Sequence, residues 1–585
     1  MTRKSNGLNS LRWLFLGLVV MTTAAATSRL WNILRVDELS WIETTYLVLV
    51  AILFAWISAS FWMAAIGAYA RWRGLADPTL ARPQDTTPSN SRTALLFPVR
   101  NEDTARLVAG IRAVCESVRA AGASDHFDVY ILSDSNDNAS IAAETKGWQS
   151  LQTGDGPIVY YRHREDNTGK KSGNIAEFCR NWGALYDYMV VLDADSLMTG
   201  ETLTSLVRLM DANPRAALIQ VAPQLVGRDS LFARIQQFTS SVYGPIYAAG
   251  LSLLQGPGGN YWGHNAILRI QPFMDHCGLP ELNGPAPFGG EILSHDFVEA
   301  ALLRRAGWQV HLVTELDGSY EEPPPTLIDH LIRDRRWCQG NLQHLQLIFA
   351  QGFRTESRGH FFNGVMSYVS SPLWLAMLIV SVFVITDQPH IAPVIYVGRY
   401  PVLALGVSHT ADFIALVTAM VILLYGPKFL ALALILRHPA ARAAHGGGWG
   451  ATGSVLIESV FSTLLAPISM LSQSAFVVRI LLGETKGWGG QFRSERRVQT
   501  VTIARVFGLH TVIGIGAGLA IYYWVPASLW WFVPLLAGPI LSVPLVRLTS
   551  STAAGVAARQ AKLFVTPAET GRIAVVDRMR ALLAA

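Results

Sequence analysis

Six apolar stretches, at roughly residues 11–29, 43–70, 363–386, 411–436, 507–524 and 527–548, constrain the fold more than anything else in this sequence. Each is close to the ~20 residues that a helix needs to cross a bilayer. Hydrocarbon offers no partner for a bare N–H or C=O, so such stretches must satisfy their backbone internally, as helices. Charged residues make up only 15% of the 585, low for a water-soluble protein and usual for a membrane one. The net charge of +5 suits the basic cytoplasmic loops of a membrane protein. It does not suggest nucleic-acid binding, and no stripe of basic and aromatic residues does either. Four cysteines without CxxC spacing argue against a zinc site or a disulfide framework, and read as free buried thiols in a reducing compartment.

Arg3, Lys4 and Arg12 precede or enter the first stretch and Ala24-Ala25-Ala26 follows, in the manner of a signal peptide. A second stretch comes soon after, and then Arg71, Arg73 and Arg82. The positive-inside rule therefore predicts an uncleaved anchor, with the N-terminus and everything after residue 71 in the cytoplasm. Residues 453–482 are long and largely apolar, but carry Glu458, Ser462 and Ser469 and are broken by Pro467. Basic loops flank them on both sides, so a single crossing is excluded by parity. A helix in the membrane interface is expected, giving six spans, with a cramped hairpin and eight spans as the alternative. Both counts leave the C-terminus inside.

Residues 93–345 have no long apolar run. Short strands are expected at TALLFPV, FDVYILS, PIVYYR, YMVVLDAD and AALIQVAP, alternating with helical patterns such as TARLVAGIRAVCESV and GETLTSLVRLMDA. That alternation predicts βα units on a mostly parallel sheet, which binds ligands at the carboxyl ends of its strands. The expected organisation is a membrane region over 1–75, an α/β domain over 93–345, a second membrane region over 346–548 and a cytoplasmic tail over 549–585.

Polar residues collect at the predicted strand ends. Asp134 follows FDVYILS, and Asp193 and Asp195 end YMVVLDAD. In GKKSGN, Lys170 and Lys171 lie in a glycine-containing turn, and lysine is rare in this chain. Such a turn lets a lysine and backbone N–H groups approach a phosphate. Carboxylates beside it make sense if a divalent cation bridges them to a diphosphate, as magnesium does with few carboxylates and substrate oxygens. Alone, an Asp-x-Asp at a strand end serves equally well as a turn or a helix cap. Asp296, in SHDFVEAALLRR, is either the N-cap of the helix it precedes or a general base. His295 beside it is a tuning neighbour or an ordinary surface residue. A helix is predicted to start at Thr326, with Asp329 completing its cap. It would carry Arg333, Arg336 and Trp337 on one face, where a ring can stack on a sugar and guanidinium groups can offset leaving-group charge. The alternative is an arginine-rich collar at lipid headgroups.

Taken in order, Asp134, Asp193-Ala194-Asp195, Asp296 and Arg333-x-x-Arg336-Trp337 resemble the D, DxD, TED and QxxRW motifs of processive family 2 glycosyltransferases. Lys171-Ser172-Gly173-Asn174 is similar to that family's Lys-x-Gly-Asn element, and Pro223-Gln224 to its PQ element. SHD in place of TED, and Arg333 in place of the glutamine, depart from cellulose and hyaluronan synthases. With GKKSGN, GHNAILR, GSYEE and RDRRWCQGN, they look like the membrane glucosyltransferases of osmoregulated periplasmic glucan synthesis in Gram-negative bacteria.

The resemblance implies a GT-A, Rossmann-like domain in the inner membrane's cytoplasmic face, using UDP-glucose and Mg2+ or Mn2+ with inversion to extend a linear β-1,2-glucan. By the same resemblance Asp134, Lys171, Asn174, Asp193, Asp195 and Arg333 bind the donor, with the metal on Asp195 and Asp193. Asp296 would be the base, Arg336 would stabilise the leaving UDP, and Trp337, His264 and Asn265 would meet the acceptor. Implied partners are the growing glucan, the bilayer, acyl carrier protein and periplasmic glucan-processing proteins. QFRSERRVQT falls where a gating loop would lie. Other readings are a different family 2 synthase making a β-1,4-glucan or hyaluronan-like polymer, a lipid-linked sugar transferase, or a transporter with a nucleotide-sensing domain. The last predicts ionisable groups inside the spans, and only Asp412, near a span end, and His510 stand out.

Overall fold

The computed structural model describes residues 2–35, 38–83, 89–152, 156–387, 394–397, 400–403, 409–484 and 498–584. The expected gating-loop segment lies mostly outside the described residues. The chain opens with two long helices, α1 (Thr2–Leu34) and α2 (Trp41–Arg73). Ser40 and Glu43 form a capping box at the start of α2, and Gly74 ends it in the left-handed region.

The α/β domain follows as expected. Its strands are β1 (Thr93–Val99), β2 (Phe127–Ser133), β3 (Ile158–His163), β4 (Tyr188–Val191), β5 (Leu197–Met198), β6 (Ala216–Val221), β7 (Gln224–Leu225), β8 (Ala266–Arg269), β9 (Gln309–Val313) and β10 (Ser319–Glu321). Seven of them form one sheet in the order β3-β2-β1-β4-β8-β6-β9, and β8 alone runs antiparallel to its neighbours. The chain moves outward from β1 to β3 and then returns to the other side of β1 for β4. The carboxyl ends of β1 and β4 are thus the switch point where such sheets open a crevice. A small sheet of β5, β10 and β7 sits beside that crevice.

Helices α3 (Thr104–Ala120), α4 (Asn138–Leu151), α5 (Lys170–Trp182) and α6 (Gly200–Ala212) connect the first strands. Asp103, Asp137 and Thr199 cap three of them. A buried core of Leu95, Phe97, Ile111, Val114, Val129, Leu203 and their neighbours fills one face of the sheet. After β7 come α7 (Leu231–Val242) and α8 (Gly244–Gln255), then α9 (Ile270–His276), α10 (His295–Arg305) and α11 (Leu327–Ile348). Thr326 caps α11 as predicted, accepting from Asp329 N at 3.3 Å and donating to Asp329 Oδ2 at 2.6 Å.

The second membrane region consists of α12 (Thr355–Asp387), α13 (Thr410–Arg437), α14 (Pro439–Ala444), α15 (Gly447–Leu481), α16 (Thr500–Trp524), α17 (Leu529–Ile540) and α18 (Ser542–Thr549). Helices α1, α2, α12, α13 and α16 are long and apolar enough to cross a membrane, as is α15. The stretch expected at 527–548 is instead two helices, α17 and α18, meeting at 59°. Helix α15 differs from expectation in one respect, since it runs unbroken through Pro467. Proline removes one ladder N–H there, and Pro467 and Ile468 are buried against neighbouring elements.

Like α2 and α12, α15 packs against helices of the α/β domain. Ile468 joins Phe232 of α7 and Leu327 and Leu331 of α11 in one buried cluster, and Val477 and Ile480 join Cys338 and Leu342 of α11 in another. Just past its end, Glu484 pairs with Arg335 of α11 at 3.1 Å. Near its start Ser454 accepts from Phe564 N at 2.8 Å. Inside the bundle Lys428 of α13 meets both oxygens of Glu458 of α15, at 3.0 and 2.8 Å, and Tyr243 donates to the same carboxylate. Asp412 pairs with Arg29 at 2.7 Å, and His510 meets Ser472 at 3.0 Å.

The tail, which had no readable role in the sequence, folds back onto the α/β domain as α19 (Thr552–Gln560), α20 (Pro567–Thr570) and α21 (Ala574–Ala584). Val575, Val576 and Met579 of α21 belong to the domain's own core. Arg578 pairs with Glu116 of α3 at 2.6 Å, and buried Arg234 of α7 pairs with Glu569 at 2.6 Å. Tail and domain therefore lie on the same side of the membrane helices.

Candidate active site

The crevice is built on the loop Tyr261–Asn265 that leads into β8. Gln220, fully buried on β6, holds it: its Oε1 accepts from Trp262 N at 3.0 Å and its Nε2 donates to His264 O at 3.0 Å. Gly263 lies at the apex with φ +87°. Its carbonyl accepts from Lys171 Nζ at 2.8 Å, and the same ammonium meets Asp193 Oδ1 at 2.5 Å. On the other side of Gly263 lies Asp296, whose Oδ2 would be 3.4 Å from a methyl group placed there. One backbone residue thus joins the lysine, the first aspartate and the candidate base.

Lys170 and Lys171 are the first residues of α5 rather than members of a free turn. Their position adds the exposed N–H groups of a helix start to the lysine charge, which favours an anion. Asp195 is fixed through its backbone: its carbonyl accepts from Arg106 Nη2 at 2.9 Å, and Arg106 Nε donates to buried Glu322 at 3.1 Å. Asp296 is not an N-cap. Ser294 holds that position, and Asp296 lies in the first turn of α10. Burial pushes its proton affinity up, Glu299 adds to this, and His295 and Lys171 oppose it.

On α11 the guanidinium of Arg333 stacks over the ring of Trp337, 4.5 Å from its centroid, and Trp337 remains exposed. Arg333 also feels Glu321 of β10, and so do Asp193 and Asp195. Glu321 is a third carboxylate that sequence reasoning missed as a site residue, although it stands in the GSYEE stretch. Burial raises its proton affinity. His264 lies 3.4 Å from it. Burial would discharge His264, but Asp193 and Glu321 outweigh it and hold the imidazole's proton more tightly than usual.

Three expected site residues lie behind the crevice. Asp134 is buried and accepts from Arg164 Nη2 at 2.8 Å; the same nitrogen donates to Lys170 O at 2.7 Å. Asp134 therefore shapes the approach to α5 through Arg164. Asn174 is buried, donates to Leu132 O at 3.0 Å and accepts from Arg162. Asn265 is fully buried, with φ +52° and its amide donating to Ser319 Oγ at 2.8 Å, so it stitches β8 to β10. Lys171, Asp193, Asp195, His264, Asp296, Arg333 and Trp337 are the expected residues that the crevice gathers. Arg336 follows on the same face of α11 as Arg333.

Among the described residues no three His, Cys, Asp or Glu side chains converge to cage a metal by themselves. The pair after β4 fits the other mode, in which one or two carboxylates hold magnesium together with substrate phosphate oxygens.

The family model described as "Glycosyl transferase family 2" matches residues 95–277, and "Glycosyl transferase family group 2" matches residues 188–434. Two proteins named "Glucans biosynthesis glucosyltransferase H", from Cupriavidus pinatubonensis and Pseudomonas putida, are each 42% identical to this chain. The matches cover 95% and 90% of the chain. The chain spans 65% and 62% of those relatives' own length. A solved mannosyltransferase from Pyrobaculum calidifontis, in complex with GDP-Man and Mn2+, aligns at a TM-score of 0.41 with 13% identity. That match covers 72% of this chain and 98% of the other, and is too loose to bear on the chemistry.

Proposed function

The chain carries a family 2 glycosyltransferase domain, and on that premise we propose that it is a membrane-embedded glucosyltransferase that builds a glucan from UDP-glucose. The observation that carries this reading is the convergence on Gly263 of a diphosphate-type site, Lys171 with Asp193, and a half-buried candidate base, Asp296. Lys171 and the start of α5 bind the diphosphate. Asp195 and Asp193 hold a divalent cation, which when bound would neutralise charge on the departing diphosphate. Arg333 and Arg336 face the same charge from α11. Trp337 supplies the ring on which an acceptor sugar stacks, with His264 and Glu321 at its side. Asp296 takes the proton of the attacking hydroxyl. Only one carboxylate acts on the sugar, which by analogy with glycoside hydrolysis favours inversion.

We extend the proposal to a bacterial inner-membrane protein with its α/β domain in the cytoplasm, adding β-1,2-linked glucose processively and passing the chain towards the periplasm. Helix α15 would lie in the interface, since it is held along its length by α7 and α11. Acyl carrier protein and periplasmic glucan-processing proteins are proposed partners by family likeness alone.

The test is to supply the purified protein with UDP-glucose and magnesium and to determine the product's linkage by NMR. A β-1,2 polymer is expected. A β-1,4 polymer would replace the linkage, and no polymer from folded protein would favour a lipid-linked transferase. Asp296→Asn should bind UDP normally and make no glucan, and full turnover by that variant sinks the base assignment.

A further inference from the structure

Glu299 is a buried carboxylate that the reaction above does not use. It lies on α10 one turn after His295, is 1% exposed, and its Oε1 is 3.1 Å from His295 Nδ1. A carboxylate taken so far from water needs a compensating proton or cation. The bond therefore fixes the imidazole with its Nδ1 proton donated to Glu299, which leaves Nε2 as the nitrogen that titrates. Asp296 is the next residue.

The groups that face this cluster from other elements offer little positive charge. They are Lys171 of α5, Asp193 after β4, Tyr261, the thiols of Cys179 and Cys277, and His344 of α11, whose ring meets the Ser294 carbonyl at 3.5 Å. Lys171 is already shared between Asp193 and Gly263. Burial discharges His344.

We propose that His295, oriented by Glu299, is the positioning residue of Asp296, its imidazolium keeping the neighbouring carboxylate ionised and ready to act as base. This rests on the base assignment made above. Burial opposes a charged His295, but Glu299 outweighs it and raises the ring's proton affinity. In the transfer step the acceptor oxygen bonds to the anomeric carbon. The bond from that carbon to the diphosphate oxygen breaks, its electron pair leaving with UDP, and the hydroxyl proton goes to Asp296. The charge on Asp296 disappears in that step, and Glu299 alone then faces the imidazolium. A fixed pair thus serves both states of the base without rearrangement.

The experiment is the pH profile of kcat/KM for the full-length protein carrying His295→Gln or His295→Lys. Glutamine keeps a hydrogen bond to Glu299 and removes the charge. Its acidic limb should move up by about one pH unit, a roughly tenfold loss at pH values on that limb that more alkaline buffer restores. Lysine restores the charge and should bring the limb back to or below its original position, with UDP affinity unchanged in both. An acidic limb that stays in place in His295→Gln, whatever happens to the plateau, overturns the proposal. If the glutamine variant does not fold, the lysine variant decides alone, since a limb raised there overturns it as well. An inactive Asp296→Asn beside an unmoved His295→Gln limb sinks this inference only. A fully active Asp296→Asn sinks the base assignment with it.

Discussion

At Gly263 the backbone runs at φ +87°, and a side chain would press towards Asp296 while straining a carbonyl that Lys171 holds. Gly263→Ala should therefore cost about 1–2 kcal/mol of local strain and lower kcat about tenfold. Turnover and melting temperature measured together would check this, since a fall in melting alone contradicts it. Lys171→Met removes the cation between Asp193 and the Gly263 carbonyl. UDP-glucose affinity should fall by at least about tenfold, measured by titration, because a charge-assisted contact is worth about 1.5–3 kcal/mol. Residues such as Asp193, Asp195, Lys171 and Asp296 were legible in the sequence because charges at strand ends and helix starts are costly unless used. Glu299, Glu321 and Gly263 were not: Glu321 and Gly263 acquire their roles from partners elsewhere in the chain, and Glu299 acquires its own from burial beside His295, one turn back on the same helix. Nothing local in the sequence shows that the amide of Asn265, expected at the acceptor, is turned inward to Ser319.

Among elements, the crossing of α2 and α8 is the closest packing between membrane helix and α/β domain. A methyl group on Gly67 would lie 1.7 Å from the Ile246 carbonyl oxygen, and one on Gly250 would lie 2.0 Å from that of Met63. Backbone cannot retreat as a side chain can, so Gly250→Val should destabilise by at least about 1–3 kcal/mol. The expected outcome is a lower melting temperature of the detergent-purified protein, with the α/β domain released first to protease. Strands and amphipathic helices were readable from periodicity, whereas this docking was not, because small residues carry no periodic signal. The linker after α2 is pinned by Asp77, which meets His311 of β9 at 2.9 Å and Thr79 N at 2.8 Å. Burial raises its proton affinity, but these hydrogen bonds outweigh it and hold the carboxyl below the usual range. The stability it contributes is thus present above the ordinary carboxyl pKa and is lost as pH falls through the lower, folded value. Melting of the wild-type protein should drop on acidification through that range, and Asp77→Asn should flatten the dependence.

For the whole molecule, the tail matters as much as the spans. Arg234 is 1% exposed and its guanidinium meets both oxygens of Glu569, at 2.6 and 3.0 Å. Removing residues 549–585 takes away that bidentate partner and leaves Arg234 with the longer contact to Asp229 at 3.5 Å, so the domain should be destabilised. The truncated protein should show a protease-sensitive α/β domain even with its membrane helices intact, and Glu569→Gln should reproduce part of the effect. Hydropathy located the long apolar stretches, but the six helices long enough to cross include α15, and the stretch at 527–548 is a bent pair instead. How α15 lies was not readable, since its contacts with α7 and α11 come from residues more than a hundred positions away. The tail was illegible for a related reason: α21 is a short amphipathic helix whose apolar stripe makes sense only against α3. That arrangement has a consequence for biosynthesis. The domain that starts at β1 leaves the ribosome early, yet Val575, Val576 and Met579, which finish its core, are translated only after every membrane helix. The nascent domain therefore lacks the cover over α3 until the whole membrane region has been synthesised, and its last packing step follows membrane insertion in the order of the chain.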